Sequence, residues 1–401
     1  MKKKQTYILM YQDDEVLRFE VTFAKRNKVT VLEKLAHFDK APYGMKEDSS
    51  QEELDRILFK FFNVRALAST RWDYEQILKA TKCRDDFELS FKGHGLSLSN
   101  HYWYRKEDEI IKYADINFFT NKWDDSFARA VLKGDYEALK DVDLNVPDIV
   151  TQGWAVKGWL CTDEGPKLYK LGIAQGQYEE CLGEVLASRL ATRLFNNGEV
   201  LEYKLEKIYD KYASVSKVML TVDEELVPLS NILPVEAYFT YKSIARDHSR
   251  NDKFFKMIEG CTLPGLKDFF VKLSCLRTLC FVNDLHFDNI SVIRNMKTGD
   301  IRIAPLYDLG GSFGSSSRGK EFLSKLDKST FFLIYFLYGH LESNWDYSWY
   351  EPHKLDGFED EIREVLSKSE FYTPTLIENI INVYQRQKAS LDEMKKAHLK
   401  A

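Results

Sequence analysis

The chain has 401 residues, a net charge of −5 and a pI near 6.0, enough length for two or three domains around a large core. No block of like charge exceeds a few residues, which argues against a nucleic-acid surface or a polybasic membrane patch. Cys83, Cys161, Cys181, Cys261, Cys275 and Cys280 are scattered, with no C-x-x-C and no zinc-like His/Cys spacing. That usage fits a reducing cytosol rather than a disulfide framework or a structural zinc.

The first apolar run, Tyr7 to Tyr11, is too short for a secretory signal and reads as a strand. The longest apolar region, around 268–282, is interrupted by Lys272 and Arg277, so no membrane span is expected and the protein is predicted to be cytoplasmic. Within residues 1–145 the pattern predicts a hairpin of Thr6–Tyr11 and Val16–Thr22 about an Asp13-Asp14 turn. Helices over Ser50–Phe62 and Trp72–Lys82 follow, then a loop at Gly93–Asn100 and a short strand at Asp115–Phe119. This region holds no catalytic cluster.

Residues 146–232 read as a small β-rich lobe around one helix. Ala155–Cys161 and Lys167–Leu171 form two strands about the turn Thr162-Asp-Glu-Gly-Pro166. In the second strand Lys170 and Leu168 point one way, Tyr169 and Leu171 the other. The helix that follows carries Leu182, Val185, Leu186, Leu190 and Leu194 as its core stripe. Glu184 lies on an adjacent face with Ala187, Ser188 and Ala191, small enough to approach a sheet. Before the first strand, Thr151-Gln-Gly153-Trp-Ala-Val-Lys157 has the makings of a phosphate-covering loop with Gly153 and Lys157 as contacts.

Residues 233–401 are mostly helical, ending in a helix over Thr375–Lys396 capped by Thr373-Pro374. A β-hairpin interrupts them, and it carries the chemistry. Asn283-Asp-Leu-His286-Phe-Asp-Asn289 precedes the hairpin and Tyr307-Asp308-Leu-Gly-Gly-Ser-Phe313 follows it. Asp284 and Asn289 are spaced as the Asp and Asn of a kinase catalytic loop, and Asp308-Leu-Gly stands where D-F-G would stand. One carboxylate faces an acceptor hydroxyl, an amide oxygen reaches a metal, and a second carboxylate meets that metal from the neighbouring strand. His286 is read as bonding loop backbone beside the nucleotide. Gly310–Gly319, with Ser312, Ser315, Ser316 and Ser317, reads as a flexible loop.

These residues resemble a known family, the HipA-like kinases, bacterial serine/threonine protein kinases of toxin–antitoxin pairs. The likeness lies in Asp284-x-His286-x-x-Asn289 with Ile303-Ala-Pro-Leu-Tyr-Asp308. It extends to Gly183-Glu-Val-Leu-Ala-Ser188, Lys170 and Glu225-Leu-Val-Pro228. Leu96–Trp103 and Asp115–Phe119 look like a variant found in phage-like and Firmicute genomes. The family usually has Asn two residues before the catalytic Asp; here Asn283 is adjacent and Val282 takes the usual place.

The resemblance implies an α+β, two-lobed protein-kinase-like fold with an additional N-terminal α/β subdomain. Its expected parts are residues 1–145, a nucleotide-binding lobe over 146–232 and a helical lobe over 233–401. It implies ATP and Mg²⁺ as cofactors, Asp284 as catalytic base, Asn289 and Asp308 as metal ligands, and Lys170 on phosphates with Glu184 orienting it. It also implies a protein substrate and a possible DNA-binding antitoxin partner, with no nucleic acid bound directly. Two other readings stay open: a small-molecule phosphotransferase like the aminoglycoside and choline kinases, which share Asp-x-His-x-x-Asn and a later Asp, and a non-catalytic nucleotide-binding protein on a kinase scaffold.

Overall fold

Alternating apolar and polar residues build the first sheet. In this computed structural model, which describes residues 3–172, 179–244, 250–259, 261, 263–281, 287, 289–315 and 345–399, β1 (Lys3–Tyr11) and β2 (Asp14–Phe23) form the expected antiparallel hairpin. The turn itself falls at Gln12 and Asp13. With β3 (Lys28–Lys34) and β4 (Tyr102–Lys106) they make an antiparallel sheet ordered β3-β2-β1-β4. Its buried face holds Tyr7, Phe19, Phe62, Phe91 and Tyr104, rings packed largely edge to face.

Helix α1 (Gln51–Asn63) packs on this sheet. Ser50 caps it by accepting from the Glu53 amide, and Leu54, Leu58 and Phe62 form its buried stripe. Its polar side chains also close the sheet edge. The Val31 amide donates to Asp55 at 2.7 Å, and Gln51 donates to the Val31 carbonyl at 2.7 Å. An edge strand so occupied offers less backbone to stray chains.

Helices α2 (Tyr74–Thr81) and α3 (Asp86–Lys92) follow. The strand expected at Asp115–Phe119 is absent: Tyr113–Ile116 is a short helix, α4. Asn117 decides this. Its side-chain oxygen accepts from the amides of Phe119 and Thr120, and its amide donates to the Tyr113 carbonyl. That local turn uses backbone groups a strand would need.

Helix α5 (Ser126–Lys133) packs on the hairpin of β5 (Lys157–Thr162) and β6 (Gly165–Leu171). The approach is close at Gly158, where an added Cβ would lie 2.8 Å from the Ala128 Cβ. Further on come α6 (Glu180–Leu194), the antiparallel pair β7 (Lys204–Ile208) and β8 (Lys211–Lys217), β9 (Glu224–Pro228), α7 (Val235–Ile244), α8 (Arg250–Glu259) and α9 (Leu266–Cys280). The hairpin of β10 (Ser291–Asn295) and β11 (Ile301–Ile303) forms as expected. Then come α10 (Phe358–Leu366) and α11 (Pro374–His398), whose Thr373 cap is in place.

The chain divides into two compact units. One contains 1–170, 220–226 and 295–297; the other contains 171–219, 227–294 and 298–401. The core of the second is formed by α6, α9, α10 and α11 with Phe254, Phe287, Phe313, Tyr347 and Tyr350 buried among them. No described helix is long and apolar enough to cross a membrane.

Candidate functional site

Within the first unit, β5 and β6 place two lysines together. Lys157 and Lys170 are directly opposed across the hairpin and only 9% and 7% exposed. Gly158 and Tyr169, the next opposed pair, occupy the face toward α5, so the lysines project from the other face. Like charges opposed across a sheet repel, and burial sharpens the cost unless anionic or carbonyl oxygens meet them. One such oxygen is at hand: the Lys157 ammonium donates to the Gln152 carbonyl.

The loop before β5 makes its own turn at Gly153, whose φ of +88° is the left-handed conformation glycine adopts most readily. A Cβ there would stand 3.0 Å from the Lys157 Nζ. Gln152 and Gly153 are exposed, whereas Ala155 and Val156 are buried. The Thr151 hydroxyl is engaged, donating to the Asp148 carbonyl at 2.8 Å and accepting from Arg71 at 2.8 Å.

Glu184 belongs to the second unit, on α6. Its residue is fully buried, and its carboxylate accepts from the Ser214 hydroxyl on β8. Ser188, one turn on, donates to the Leu201 carbonyl and accepts from the Tyr203 amide, both at 3.0 Å, so the helix lies directly against that segment.

Tyr203 in turn reaches Asp308. Leu306 pairs with residues 199–201: its amide donates to the Glu199 carbonyl at 2.8 Å and the Leu201 amide donates to the Leu306 carbonyl at 2.9 Å. Just beyond, the Asp308 amide donates to the Tyr203 hydroxyl at 3.3 Å. Asp308 has φ +56°, and Phe281 and Phe313 are also left-handed at +44° and +51°. Non-glycine residues in this region carry strain that surrounding structure must hold, and such strain gathers at functional sites.

The hairpin brings Asn289 and Asp308 to one end. Val292 opposes Ile303, so the residues before β10 and those after β11 leave from the same edge. The Ala304 amide donates to the Ser291 carbonyl at 2.9 Å, and the Ser291 and Tyr307 hydroxyls hydrogen-bond at 2.7 Å. Asn289 and Asp308 are both half-buried. Asp284 and His286 lie outside the described residues, as does Asn283.

Gly310–Ser315 differs from the expected loose loop. Ser312 and Ser315 are fully buried. Ser315 donates to the carbonyls of Gly310 and Ser312, and Ser312 to that of Leu309. The Phe313 amide donates to the Cys280 carbonyl, the last residue of α9, at 2.8 Å. The whole turn sits in a notch at Gly183, where a Cβ would be 2.3 Å from the Ser315 hydroxyl and 2.5 Å from the Ser312 carbonyl oxygen. Ser316 and Ser317 lie outside the described residues. The sequence signal for this notch is Gly183 itself, a glycine inside a helical pattern, which commonly marks close packing.

Among the described residues no cluster of three or more His, Cys, Asp or Glu side chains forms a metal-binding group. The carboxylate and amide oxygens of Asp308 and Asn289 are nevertheless hard donors of the kind Mg²⁺ takes, and Mg²⁺ commonly uses one or two protein oxygens with water and phosphate completing its shell.

No family model matches the chain, and no curated protein matches it. Among solved structures it is similar to that of the Helicobacter pylori proinflammatory kinase CtkA. That likeness has a TM-score of 0.45 at 15% identity, over 62% of this chain and 92% of that one. It is similar, too, to the Shewanella oneidensis MR-1 toxin–antitoxin complex of HipA, HipB and operator DNA. There the TM-score is 0.50 at 11% identity, over 98% of this chain and 99% of that one. The resemblance read from the motif residues is thus met at the level of the fold: over nearly its whole length the chain shares the mixed α and β architecture, antiparallel sheets with helices, of this HipA-containing structure.

Proposed function

We propose that this chain is a HipA-like kinase with a two-lobed catalytic core, transferring the γ-phosphoryl group of Mg-ATP to a serine or threonine hydroxyl of a protein. Residues 146–232 would form its nucleotide-binding lobe, 233–401 its helical lobe and 1–145 an added N-terminal subdomain. The observation that carries the reading is the opposed pair Lys157 and Lys170, two nearly buried ammonium groups on one sheet face. A polyphosphate is a ligand whose oxygens can meet both ammonium groups at once.

In this reading Lys170 binds phosphate oxygens and the buried Glu184 orients it. Lys157 and the Gly153 turn cover the phosphates, with His286 supporting the loop that carries Asp284. Asn289 and Asp308 hold Mg²⁺, which offsets charge on the phosphates when bound. Asp284 aligns the acceptor hydroxyl and takes its proton late in transfer. Catalysis is then chiefly alignment and charge stabilisation. The chain would work in the cytoplasm, and a DNA-binding antitoxin is a candidate partner, as HipB and operator DNA accompany HipA in the similar structure.

The test is transfer of label from γ-labelled Mg-ATP, offering a protein lysate in one arm and aminoglycosides or choline in another. Labelled protein, lost in Asp308→Ala, supports the proposal. Labelled small molecule alone would move the chain to the small-molecule phosphotransferases. Absence of both labelling and any thermal shift with millimolar Mg-ATP would reject nucleotide chemistry altogether.

A further inference from the structure

Arg71 brackets the loop between Thr151 and Lys157 from both ends. Its side chain is wholly buried and paired with the equally buried Asp73 at 2.6 Å. One arm of the guanidinium donates to the Thr151 hydroxyl at 2.8 Å, and another to the Lys157 carbonyl at 2.9 Å. These are the first and last residues of the loop. Neighbours of Arg71 extend the grip. The Ala68 amide donates to the Thr151 carbonyl at 3.4 Å and the Trp72 amide to the Trp154 carbonyl at 3.0 Å, while the Gln152 side chain donates to the Ala66 carbonyl. What stays exposed is the apex, Gln152 and Gly153.

A planar fork with five donors suits this task, because it fixes two acceptors at a set separation while its charge is met by one carboxylate. A loop so bracketed has lost most of its conformational freedom before any ligand arrives. Ordering a loop on binding weakens affinity; ordering it beforehand spares that loss. We infer that Arg71 is a positioning residue for nucleotide, and that residues 66–73 form a strap holding the Thr151–Lys157 loop in its phosphate-covering shape. This gives the N-terminal region, which holds no catalytic cluster of its own, a part in binding.

The inference rests on the proposed nucleotide chemistry, and the experiment separates the two. The full chain is compared with Thr151→Val, which removes one acceptor of Arg71 and leaves the Arg71–Asp73 pair intact, and with Arg71→Met/Asp73→Leu, which replaces that pair by apolar groups together. Amide exchange of residues 151–157 and steady-state kinetics in ATP are measured. The expected result for Thr151→Val is about tenfold faster exchange in that loop and about tenfold higher KM for ATP, with kcat nearly unchanged. The double variant, where it folds, should show a larger change of the same kind. Exchange and KM at wild-type values in Thr151→Val overturn the inference, and so does an equal fall in kcat with KM constant. Failure of the unmodified chain to bind or use Mg-ATP instead rejects the functional reading, whatever the loop does.

Discussion

The hydroxyls of Ser291 and Tyr307 lie 2.7 Å apart, joining the strand that starts two residues after Asn289 to the residue just before Asp308. The two proposed metal ligands thus hang from a hairpin whose open end is closed by this hydrogen bond. Tyr307→Phe keeps the ring and removes the bond. The expected loss of stability is about 1 kcal/mol, and the Mg²⁺ concentration giving half-maximal activity should rise several-fold, a change of the same order. A magnesium titration of wild type against variant reads this directly, and overlapping curves would separate the hairpin closure from metal binding.

Asp308 itself should matter for charge rather than folding. It is half-buried and its backbone, not its carboxylate, makes the bond to Tyr203. Asp308→Asn retains a residue type that tolerates the left-handed conformation. Activity should fall by about a thousandfold or more, the scale of losing a preorganised charge at a transition state, while the unfolding midpoint moves little. Asp284→Asn should lower turnover comparably and leave nucleotide binding in place, as measured by thermal shift with Mg-ATP.

Much of this geometry follows patterns visible in the chain. The β1–β2 hairpin, α1 with its Ser50 cap, the β5–β6 hairpin and α11 with its Thr373 cap all have local signals: alternation, a capping residue, a turn residue. Asp115–Phe119 misled because the side chain of Asn117, not propensity, sets the backbone there. Ser312 and Ser315 misled because a run of Gly and Ser looks solvated, and only the distant notch at Gly183 buries it. Arg71 left no trace at all: an arginine two residues from an aspartate has no period, and its partners at 151 and 157 are about eighty residues away.

Gly183 offers a sharper stability test. A methyl group there meets a backbone oxygen at 2.5 Å, and backbone cannot rotate away as a side-chain tip can. Gly183→Ala should cost about 1–3 kcal/mol through overpacking, read as a lower denaturant midpoint. Ser315→Gly added to it should recover part of the loss by removing the nearer contact at the Ser315 hydroxyl. An alanine at 183 with wild-type stability would mean that the turn does not seat against α6.

Two buried groups, His101 and Asp148, give opposite pH dependences. His101 uses one ring nitrogen toward the Tyr113 hydroxyl at 2.6 Å and the other toward the Glu224 carbonyl at 3.0 Å. Burial holds its pKa down to about 4 against an ordinary 6.5. The unfolded chain therefore binds the extra proton first, and the stability owed to neutral His101 is complete above pH 6.5 and lost as pH falls toward 4. The loss is on the order of 3 kcal/mol, and His101→Gln should flatten the unfolding midpoint over that window.

Asp148 runs the other way. It is fully buried; one carboxylate oxygen accepts from the Trp159 amide at 2.8 Å and the other has no hydrogen-bond partner among the described residues. Burial pushes its pKa up to about 7 from 3.8, so the folded chain keeps a proton that the unfolded chain has released. The stability from protonated Asp148 is complete below pH 3.8 and is lost as pH rises through 7, where the buried carboxyl ionises with Arg71 nearby offsetting only part of the desolvation. Asp148→Asn stays neutral throughout. Relative to wild type it should gain stability steadily between pH 4 and pH 7, by a total on the order of a few kcal/mol, then hold constant above pH 8. A wild-type-minus-variant difference that is flat across that range would show that the Asp148 carboxyl titrates normally and is hydrated in solution.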